Sequence, residues 1–236
     1  MIFNIEPSTF GGPARNGDLI AICNVIQHLR NTNENQEIRF YMKEGTISSE
    51  SYVQQFFLFL SQITNYFSHF EGSTSLPWKN VNVWDYRDIS GDLVKISNHL
   101  PNQKKVVVFP LVDAKYNTYR NWPQKTLMDV ISNIENSAAF KDYEKILCTN
   151  VNCGDMSGWT ISNDFLTNIM HIMTAEVFVG GDTGTSHFAW ALDNGPDKLI
   201  YYNSSRGLLH TLPFYLTKGK GELNTYWLDF ENTSWN

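Results

Sequence analysis

Cysteine is scarce in this chain of 236 residues, and so are the spacings that bind metals. The three cysteines, Cys23, Cys148 and Cys153, are odd in number and form no Cys-x-x-Cys pair. That usage indicates a reduced, intracellular protein without a disulfide framework. The six histidines are scattered without metal-ligand spacing, so we expect no bound metal.

Long hydrophobic runs are also missing. The longest one, residues 56–60, is far too short to span a bilayer. Residues 1–7 have neither the basic region nor the long apolar core of a signal peptide. We therefore expect no membrane span and a cytoplasmic location, which for a viral protein would be the cytoplasm of the host cell.

The charge of the chain is low and evenly divided. The net charge of −6 is the sum of −3 in residues 1–100 (7 basic, 10 acidic) and −3 in residues 101–236 (11 basic, 14 acidic). The lack of a basic half argues against a protein that acts mainly on nucleic acid, although a local basic groove remains open. Apolar residues make up 42% of the chain and aromatic residues 14%, which suffices for packed cores and argues against extensive disorder.

The most informative segment that is present is a glycine-rich turn within residues 175–192. A β-branched run, Val177–Val179, enters Gly180 and Gly181, and a helix-compatible segment follows from 187 to 192. That order predicts a strand, a tight turn and a helix N-terminus. Because the first N–H groups and the dipole of a helix attract anions, phosphate is the expected ligand. The simpler interpretation is an ordinary capped helix behind a buried strand.

Other motifs share letters with this turn. Residues 182–186, Asp-Thr-Gly-Thr-Ser, match an aspartic-protease turn, but that chemistry needs a second carboxylate, from another turn or a homodimer, on an all-β frame. The sequence has no second Asp-Thr-Gly, so a dimeric aspartic protease is a remote alternative. A Walker loop is excluded because no Gly-Lys-Ser/Thr ends the glycine run. A dinucleotide fingerprint fails on glycine spacing and on its late position in the chain.

Strand and helix patterns alternate along the chain. Strands are expected at residues 2–5, 38–42, 81–84, 105–109, 145–148, 177–179 and 198–202. Helices are expected from residue 18 and over residues 50–66, 93–100, 123–136, 164–173 and 187–192. Such alternation predicts parallel sheets that are covered on both faces and bind ligands at the carboxyl ends of their strands. We expect an α/β fold of two Rossmann-like domains, a compact one over residues 1–100 and a second over residues 101–236, with a central cleft between them.

Three short segments carry a resemblance to a known family. Residues 120–123 read Arg-Asn-Trp-Pro, residues 181–187 read Gly-Asp-Thr-Gly-Thr-Ser-His, and residues 17–18 read Gly-Asp at the start of an amphipathic helix. They resemble the basic-x-Trp-Pro, Asp-Thr/Ser-Gly-x-x-His and Gly-Asp elements of glycosyltransferase family nine, the bacterial heptosyltransferases. The resemblance implies a GT-B-like fold in which residues 101–236 bind a nucleotide sugar and residues 1–100 face the acceptor.

Sugar transfer from a nucleotide donor places growing negative charge on the diphosphate leaving group. The sequence has no Asp-x-Asp, the usual metal-diphosphate clamp of one large class of sugar transferases, so dipoles and cations must balance this charge. The candidate diphosphate-binding residues are Arg120, Asp182, Thr183, Gly184, Thr185, Ser186 and His187. Arg120 would supply a forked cation, and the helix start would supply backbone dipoles. Taken alone, Arg120 could equally be a solvated loop residue and His187 a structural histidine.

The acceptor hydroxyl must lose a proton as it attacks, so a general base belongs on the opposite wall of the cleft. The resemblance implies Asp18 as this catalytic base; the alternative is an ordinary acidic residue at a helix start. Further candidates for nucleotide or sugar contacts are Lys115, Asn150, Asp155, Arg15 and Asn16.

We expect a metal-independent, inverting glycosyltransferase that takes a nucleotide-diphosphate sugar as co-substrate and needs no other cofactor. The acceptor is a saccharide or another hydroxyl-bearing molecule. A modified nucleobase in viral DNA is less favoured, because the acidic balance predicts weak affinity for the phosphate backbone. The alternative is a catalytically inactive nucleotide or nucleotide-sugar binding protein, which would have no use for a base at Asp18.

Overall fold

The computed structural model describes residues 2–6, 13–34, 39–41, 45–67, 70–71, 79–83, 94–110, 121–149, 156–181, 183–202 and 225–229. The chain divides into two compact units, Met1–Ser97 and Asn98–Asn236. The acceptor and donor roles expected for residues 1–100 and 101–236 stay predictions. Within the described stretches, no helix is both long enough and apolar enough to cross a membrane.

The described part of the first unit is a parallel four-stranded sheet with helices between its strands. Its elements are β1 (Ile2–Glu6), α1 (Asn16–Thr32), β2 (Arg39–Tyr41), α2 (Ser51–Ile63), β3 (Phe70–Glu71) and β4 (Lys79–Asn82). The strand order is β3-β2-β1-β4, and each neighbouring pair is parallel. Phe3 and Ile5 are buried while Asn4 between them is partly exposed, because successive side chains of a strand point to opposite faces.

The second unit contains a parallel six-stranded sheet. Its elements are β5 (Gln103–Phe109), α3 (Gln124–Asn136), a short 3-10 helix (Ala138–Phe140), β6 (Glu144–Cys148), β7 (Thr160–Ser162), α4 (Phe165–Thr174), β8 (Ala175–Gly181), α5 (Gly184–Ala191), β9 (Asp197–Tyr202) and β10 (Thr225–Asp229). The strand order is β10-β9-β8-β5-β6-β7. Every neighbouring pair is parallel, which is the α/β arrangement that the sequence predicted.

Helix α3 belongs to a core cluster with the central strand of the second sheet. Val130, Ile131 and Ile134 recur at helical spacing and lie buried in one cluster with Val106 and Val108 of β5. The opposite face of α3 carries polar residues that remain exposed. This helix therefore shields the central strand of the sheet from water.

The helix expected over residues 93–100 is wrong for residues 94–100, which the structure describes as non-helical. Val94, Ile96 and Asn98 are buried and alternate with exposed residues, which is the pattern of an extended segment. The backbone N–H of Val94 donates to Asn24 Oδ1 at 2.6 Å, and Asn98 Nδ2 donates to the carbonyl oxygen of Met173 at 2.7 Å. The β-branched residues Val94 and Ile96 and these two buried hydrogen bonds favour the extended form over a helix.

Three short strands were not predicted from the sequence. Strands β3, β7 and β10 each lie at an edge of their sheet. Strands β3 and β7 have only two and three residues, too few for a periodic pattern. Helix α1 begins at Asn16, two positions before the expected start, so Asp18 lies within its first turn.

Lys198 in β9 is a buried charge. Its side chain is almost inaccessible, and its Nζ donates to the carbonyl oxygen of Pro196. Burial lowers the pKa of Lys198 to about 8 because the ammonium group loses its solvation, and the neighbouring Asp197 opposes this effect. The charged form therefore destabilises the folded protein at neutral pH.

Replacing Lys198 with methionine tests this electrostatic cost. Because the folded-state pKa lies below the ordinary 10.5, the unfolded chain binds more protons between about pH 8 and 10.5, and the stability contributed by Lys198 rises across that window. Lys198→Met should raise the urea midpoint at pH 7, and this advantage should shrink as the pH approaches 10.5. Lys104→Met, at an exposed lysine of β5, is the matched control and should show no such trend. A pH-independent effect of Lys198→Met would contradict the burial argument.

Candidate functional site

The strand order of the second sheet reverses between the neighbouring strands β5 and β8. From β5 the sheet adds β6 and β7 on one side, and then β8, β9 and β10 on the other. In open parallel sheets of this order, ligands bind outside the carboxyl ends of the two strands at the reversal. Strand β8 ends at Gly181, so the glycine turn lies at this position.

The end of β8 is packed too tightly for a side chain at residue 180. A Cβ atom at Gly180 would overlap the ring of Phe178 and come within 3.2 Å of Ser186 Oγ. The Phe178 ring is fully buried and cannot move into solvent. Glycine at this position therefore allows the Phe178 ring to pack directly against the backbone of β8.

Thr183 caps helix α5. Its Oγ1 accepts a hydrogen bond from the N–H of Ser186 at 3.4 Å and lies 2.6 Å from Thr185 Oγ1. The Ser186 hydroxyl donates to the carbonyl oxygen of Gly181, which ties the first turn of the helix to the end of β8. Thr183, Thr185 and Ser186 are all buried, so the turn is a packed structure rather than a solvated loop. The expected helix N-terminus after the glycines is confirmed, starting at Gly184.

The amides of this turn fall into two groups. The N–H groups of Ser186 and His187 donate to the carbonyl oxygen of Thr183, at 3.1 and 3.3 Å. Gly184 and Thr185 occupy the first two helical positions, where an amide has no acceptor within its own helix. These two amides are therefore the ones best placed to bind an anion.

Of the remaining candidates in the second unit for binding the nucleotide sugar, only His187 lies among the described residues. His187 is largely buried, and its ring meets Trp190 edge-on with centroids 5.6 Å apart. Asp182, Arg120, Lys115, Asn150 and Asp155 lie outside the described residues, so their assignments stay predictions. Near Arg120, Trp122 is a buried core residue whose backbone N–H donates to the carbonyl oxygen of Pro110 at 3.2 Å. This hydrogen bond holds Trp122 of the Arg-Asn-Trp-Pro element next to Pro110, the residue that follows β5.

The first unit brings Arg15, Asn16 and Asp18 together at the start of α1. Asp18 Oδ2 accepts a hydrogen bond from the backbone N–H of Arg15 at 2.9 Å, so the carboxylate caps the helix. Ala14, just before the helix, forms an isolated parallel bridge with Ile47. Its N–H donates to the carbonyl oxygen of Thr46 at 2.6 Å. The capping bond shows that Asp18 has the ordinary role of a helix-start carboxylate.

Sequence reasoning missed a polar cluster around Glu50, the residue that precedes α2. Glu50 Oε2 accepts hydrogen bonds from the hydroxyls of Ser48 at 3.2 Å and Tyr52 at 2.9 Å. A guanidinium nitrogen of Arg15 lies 3.8 Å from the same oxygen. The run of serines around Glu50 signals a helix start, but only the fold shows that this start lies beside that of α1.

No protein-family model matches the sequence, and no curated protein does either. In structure, the chain is similar to E. coli heptosyltransferase WaaC with ADP-2-deoxy-2-fluoro heptose, with a TM-score of 0.50 and 9% identity over 96% of this chain and 92% of that chain. It is also similar to E. coli ADP-heptose LPS heptosyltransferase II, with a TM-score of 0.49 and 11% identity over 96% of this chain and 89% of that chain. The likeness to WaaC confirms the GT-B-like α/β fold.

This fold disposes of one alternative. An aspartic protease needs an all-β frame, whereas the turn at 183–187 joins a parallel strand to a helix. Among the described residues, no group of three or more His, Cys, Asp or Glu side chains could hold a metal ion.

The two described cysteines, Cys23 and Cys148, are buried and form no disulfide. Burial raises the pKa of the Cys148 thiol to about 12.

Gly180→Ala tests the packing that shapes the turn. The added methyl group would overlap the buried Phe178 ring, so we expect a loss of about 1–3 kcal/mol of unfolding free energy, as for other overpacked cores. In a Phe178→Leu background the same change should cost less, because the clashing ring atoms are absent. Urea unfolding of the four proteins of this cycle measures the coupling. Equal costs in both backgrounds would show that the ring does not impose the glycine.

Proposed function

We propose that this chain is a glycosyltransferase that transfers a sugar from a nucleotide-diphosphate sugar to an acceptor hydroxyl. The observation that supports this most directly is the glycine turn at the strand reversal, where the capped start of α5 follows β8. The fold shared with a sugar transferase adds support but does not identify the substrate. WaaC is the neighbour with a bound ADP-linked sugar, so adenosine donors are the first to test.

The proposed diphosphate site uses fixed dipoles and a cation. The amides of Gly184 and Thr185 would donate to phosphate oxygens, and the dipole of α5 would favour their charge. Arg120 would add a forked cation, and His187 one further hydrogen bond. Because the Thr183 and Ser186 side chains already hold the turn, its amides need little reorganisation as charge grows on the leaving group. We propose that Asp182 orders this turn and that no metal takes part.

The proposed base is Asp18. Its Oδ2 accepts a hydrogen bond from the Arg15 N–H, which restrains the carboxylate, and a general base must be positioned to take a proton. A single displacement assisted by one base inverts the configuration at the transferred carbon. A saccharide acceptor suits this chemistry better than DNA, because the net charge of −6 opposes binding to a phosphate backbone. Lys115, Asn150, Asp155 and Arg15 remain candidate nucleotide or sugar contacts.

A nucleotide-sugar binding protein without activity is the second candidate. It is favoured by the helix-capping contact of Asp18, which gives this carboxylate a structural role independent of catalysis. Both candidates require the diphosphate site, so only turnover separates them.

Thermal unfolding with a panel of nucleotides tests the diphosphate site. A ligand at about 100 times its dissociation constant adds roughly 2.7 kcal/mol to stability, so ADP, UDP, GDP or dTDP, free or linked to a sugar, should raise Tm. The shift should persist in EDTA, because the proposed site contains no metal. Absence of a shift with every nucleotide would refute the donor site, and strict dependence on Mg²⁺ would refute its metal-free form.

Asp18→Asn separates enzyme from binder. The amide oxygen can still accept from the Arg15 N–H, so stability and nucleotide affinity should change little, whereas turnover should fall by roughly 10²–10⁴-fold. Release of the nucleoside diphosphate from the donor, by transfer or by hydrolysis, provides the assay. Asp164→Asn is the matched control, because Asp164 caps α4 through the Thr167 N–H and has no proposed catalytic role. Full turnover by Asp18→Asn would remove Asp18 as the base.

A further inference from the structure

A buried polar atom near Asp18 lacks a hydrogen-bond partner. Asn16 is the first residue of α1 and only 8% exposed, and within the described part of the chain its Oδ1 accepts no hydrogen bond. Buried amide oxygens are nearly always paired, because burial removes the water that would otherwise bind them. An unpaired oxygen at this position therefore calls for a physical cause.

A loosely held backbone is not that cause. On one side of Asn16, the Ala14 N–H donates to the carbonyl oxygen of Thr46 at 2.6 Å, and the Ala14 carbonyl oxygen accepts from the Ser48 N–H at 2.9 Å. On the other side, Asp18 Oδ2 accepts from the Arg15 N–H at 2.9 Å. These bonds hold the segment that carries Asn16 in one position, so the unpaired oxygen belongs to a well-defined structure.

Helix geometry gives the direction of the side chain. The Cα–Cβ bonds of a helix tilt toward its N-terminus, so the carboxamide of its first residue leans to that end. The carboxylate of Asp18 reaches the same end, since it bonds the N–H of Arg15. The start of α1 therefore carries both an unpaired amide oxygen and the proposed base, two positions apart in the chain.

We propose that the carboxamide of Asn16 binds a carbohydrate hydroxyl beside Asp18. This inference rests on the proposed sugar transfer. A hydroxyl of the substrate donates to Oδ1, and the amide NH₂ can donate to an adjacent hydroxyl, so one carboxamide recognises a pair of neighbouring hydroxyls. Stability given up in the free protein is then recovered in the complex, as is common at binding sites. The hydroxyl belongs to the donor sugar or to the acceptor, and the experiment below separates the two.

Asn168 provides a matched control. It lies inside α4, is 5% exposed, and its Oδ1 also has no hydrogen-bond partner among the described residues. It therefore shares the burial and the unpaired oxygen of Asn16 but lies on a different helix from Asp18. Leucine has the same branched arrangement of four side-chain heavy atoms as asparagine and removes the amide in either position.

Asn16→Leu and Asn168→Leu should both raise Tm, by roughly 2–4 °C, because each removes an unpaired buried acceptor. Only Asn16→Leu should also weaken substrate binding, by about tenfold or more. Calorimetry compares ADP-heptose, UDP-glucose, GDP-mannose and dTDP-glucose with the matching free nucleoside diphosphates. A loss confined to the nucleotide sugar assigns the hydroxyl to the donor. Unchanged donor affinity with a raised KM for methyl α-glucoside as acceptor assigns it to the acceptor.

Asn16→Ala keeps the inference testable if leucine disturbs the helix start, since alanine is smaller and should weaken the same ligand. A lowered Tm for Asn16→Leu together with unchanged affinities would make Asn16 a structural residue and overturn the inference. The same follows if both Asn16 variants match Asn168→Leu in affinity and KM while the wild-type protein binds nucleotide sugars. A wild-type protein that binds no nucleotide sugar overturns the proposed function itself, and this inference with it.

Discussion

The close packing of the Phe178 ring against Gly180 leaves no room for a side chain at the end of β8. The ring fills the space that a Cβ atom would need, so residue 180 must be glycine while the strand continues to Gly181. The Ser186 hydroxyl then bonds the carbonyl oxygen of Gly181, and Thr183 caps the helix. The amides proposed to bind phosphate are thus positioned by the core of the sheet. That origin suits a site that must hold its dipoles fixed while charge moves.

The start of α1 combines structural and proposed catalytic roles in a few residues. Asp18 caps its own helix through the Arg15 N–H, and the guanidinium of Arg15 lies near Glu50 at the start of α2. The bridge between Ala14 and Ile47 places the two helix starts side by side. A proposed base held in this way has little freedom to turn away from its substrate, which is an advantage for proton transfer and a constraint on mutation.

The sequence predicted elements correctly where an apolar pattern extends over several residues or where proline or glycine marks a boundary. The buried strand at residues 105–109, the helix behind Pro123 and the turn after Gly181 all follow from such patterns, and the structure contains them. The extended form of residues 94–100 did not follow, because it depends on hydrogen bonds with Asn24 and Met173, which are far away in sequence.

Contacts between distant segments account for the features near the candidate site residues that the sequence could not reveal. Glu50 lies near Arg15, one of the candidate site residues, because Ile47 pairs with Ala14, far earlier in the chain. The oxygen of Asn16 is unpaired because of how the folded chain packs around it, which the sequence alone does not indicate. The sequence offered a helix-start role for Asp18 only as the alternative to catalysis, and the structure shows the capping bond from the Arg15 N–H to Asp18 Oδ2.

The segment at residues 94–98 has a consequence for how this gene can be altered. Buried side chains alternate along it, and an asparagine hydrogen bond anchors each end, Val94 to Asn24 and Asn98 to Met173. Insertions, circular permutation and proteolytic nicking succeed where the backbone is exposed and unbonded. Here a single added residue would shift every buried side chain to the opposite side. This stretch of chain therefore tolerates little change in length. Each of the two hydrogen bonds joins residues of the same unit, so recombination that exchanges one unit for a homologous one preserves both bonds when the crossover lies between Val94 and Asn98.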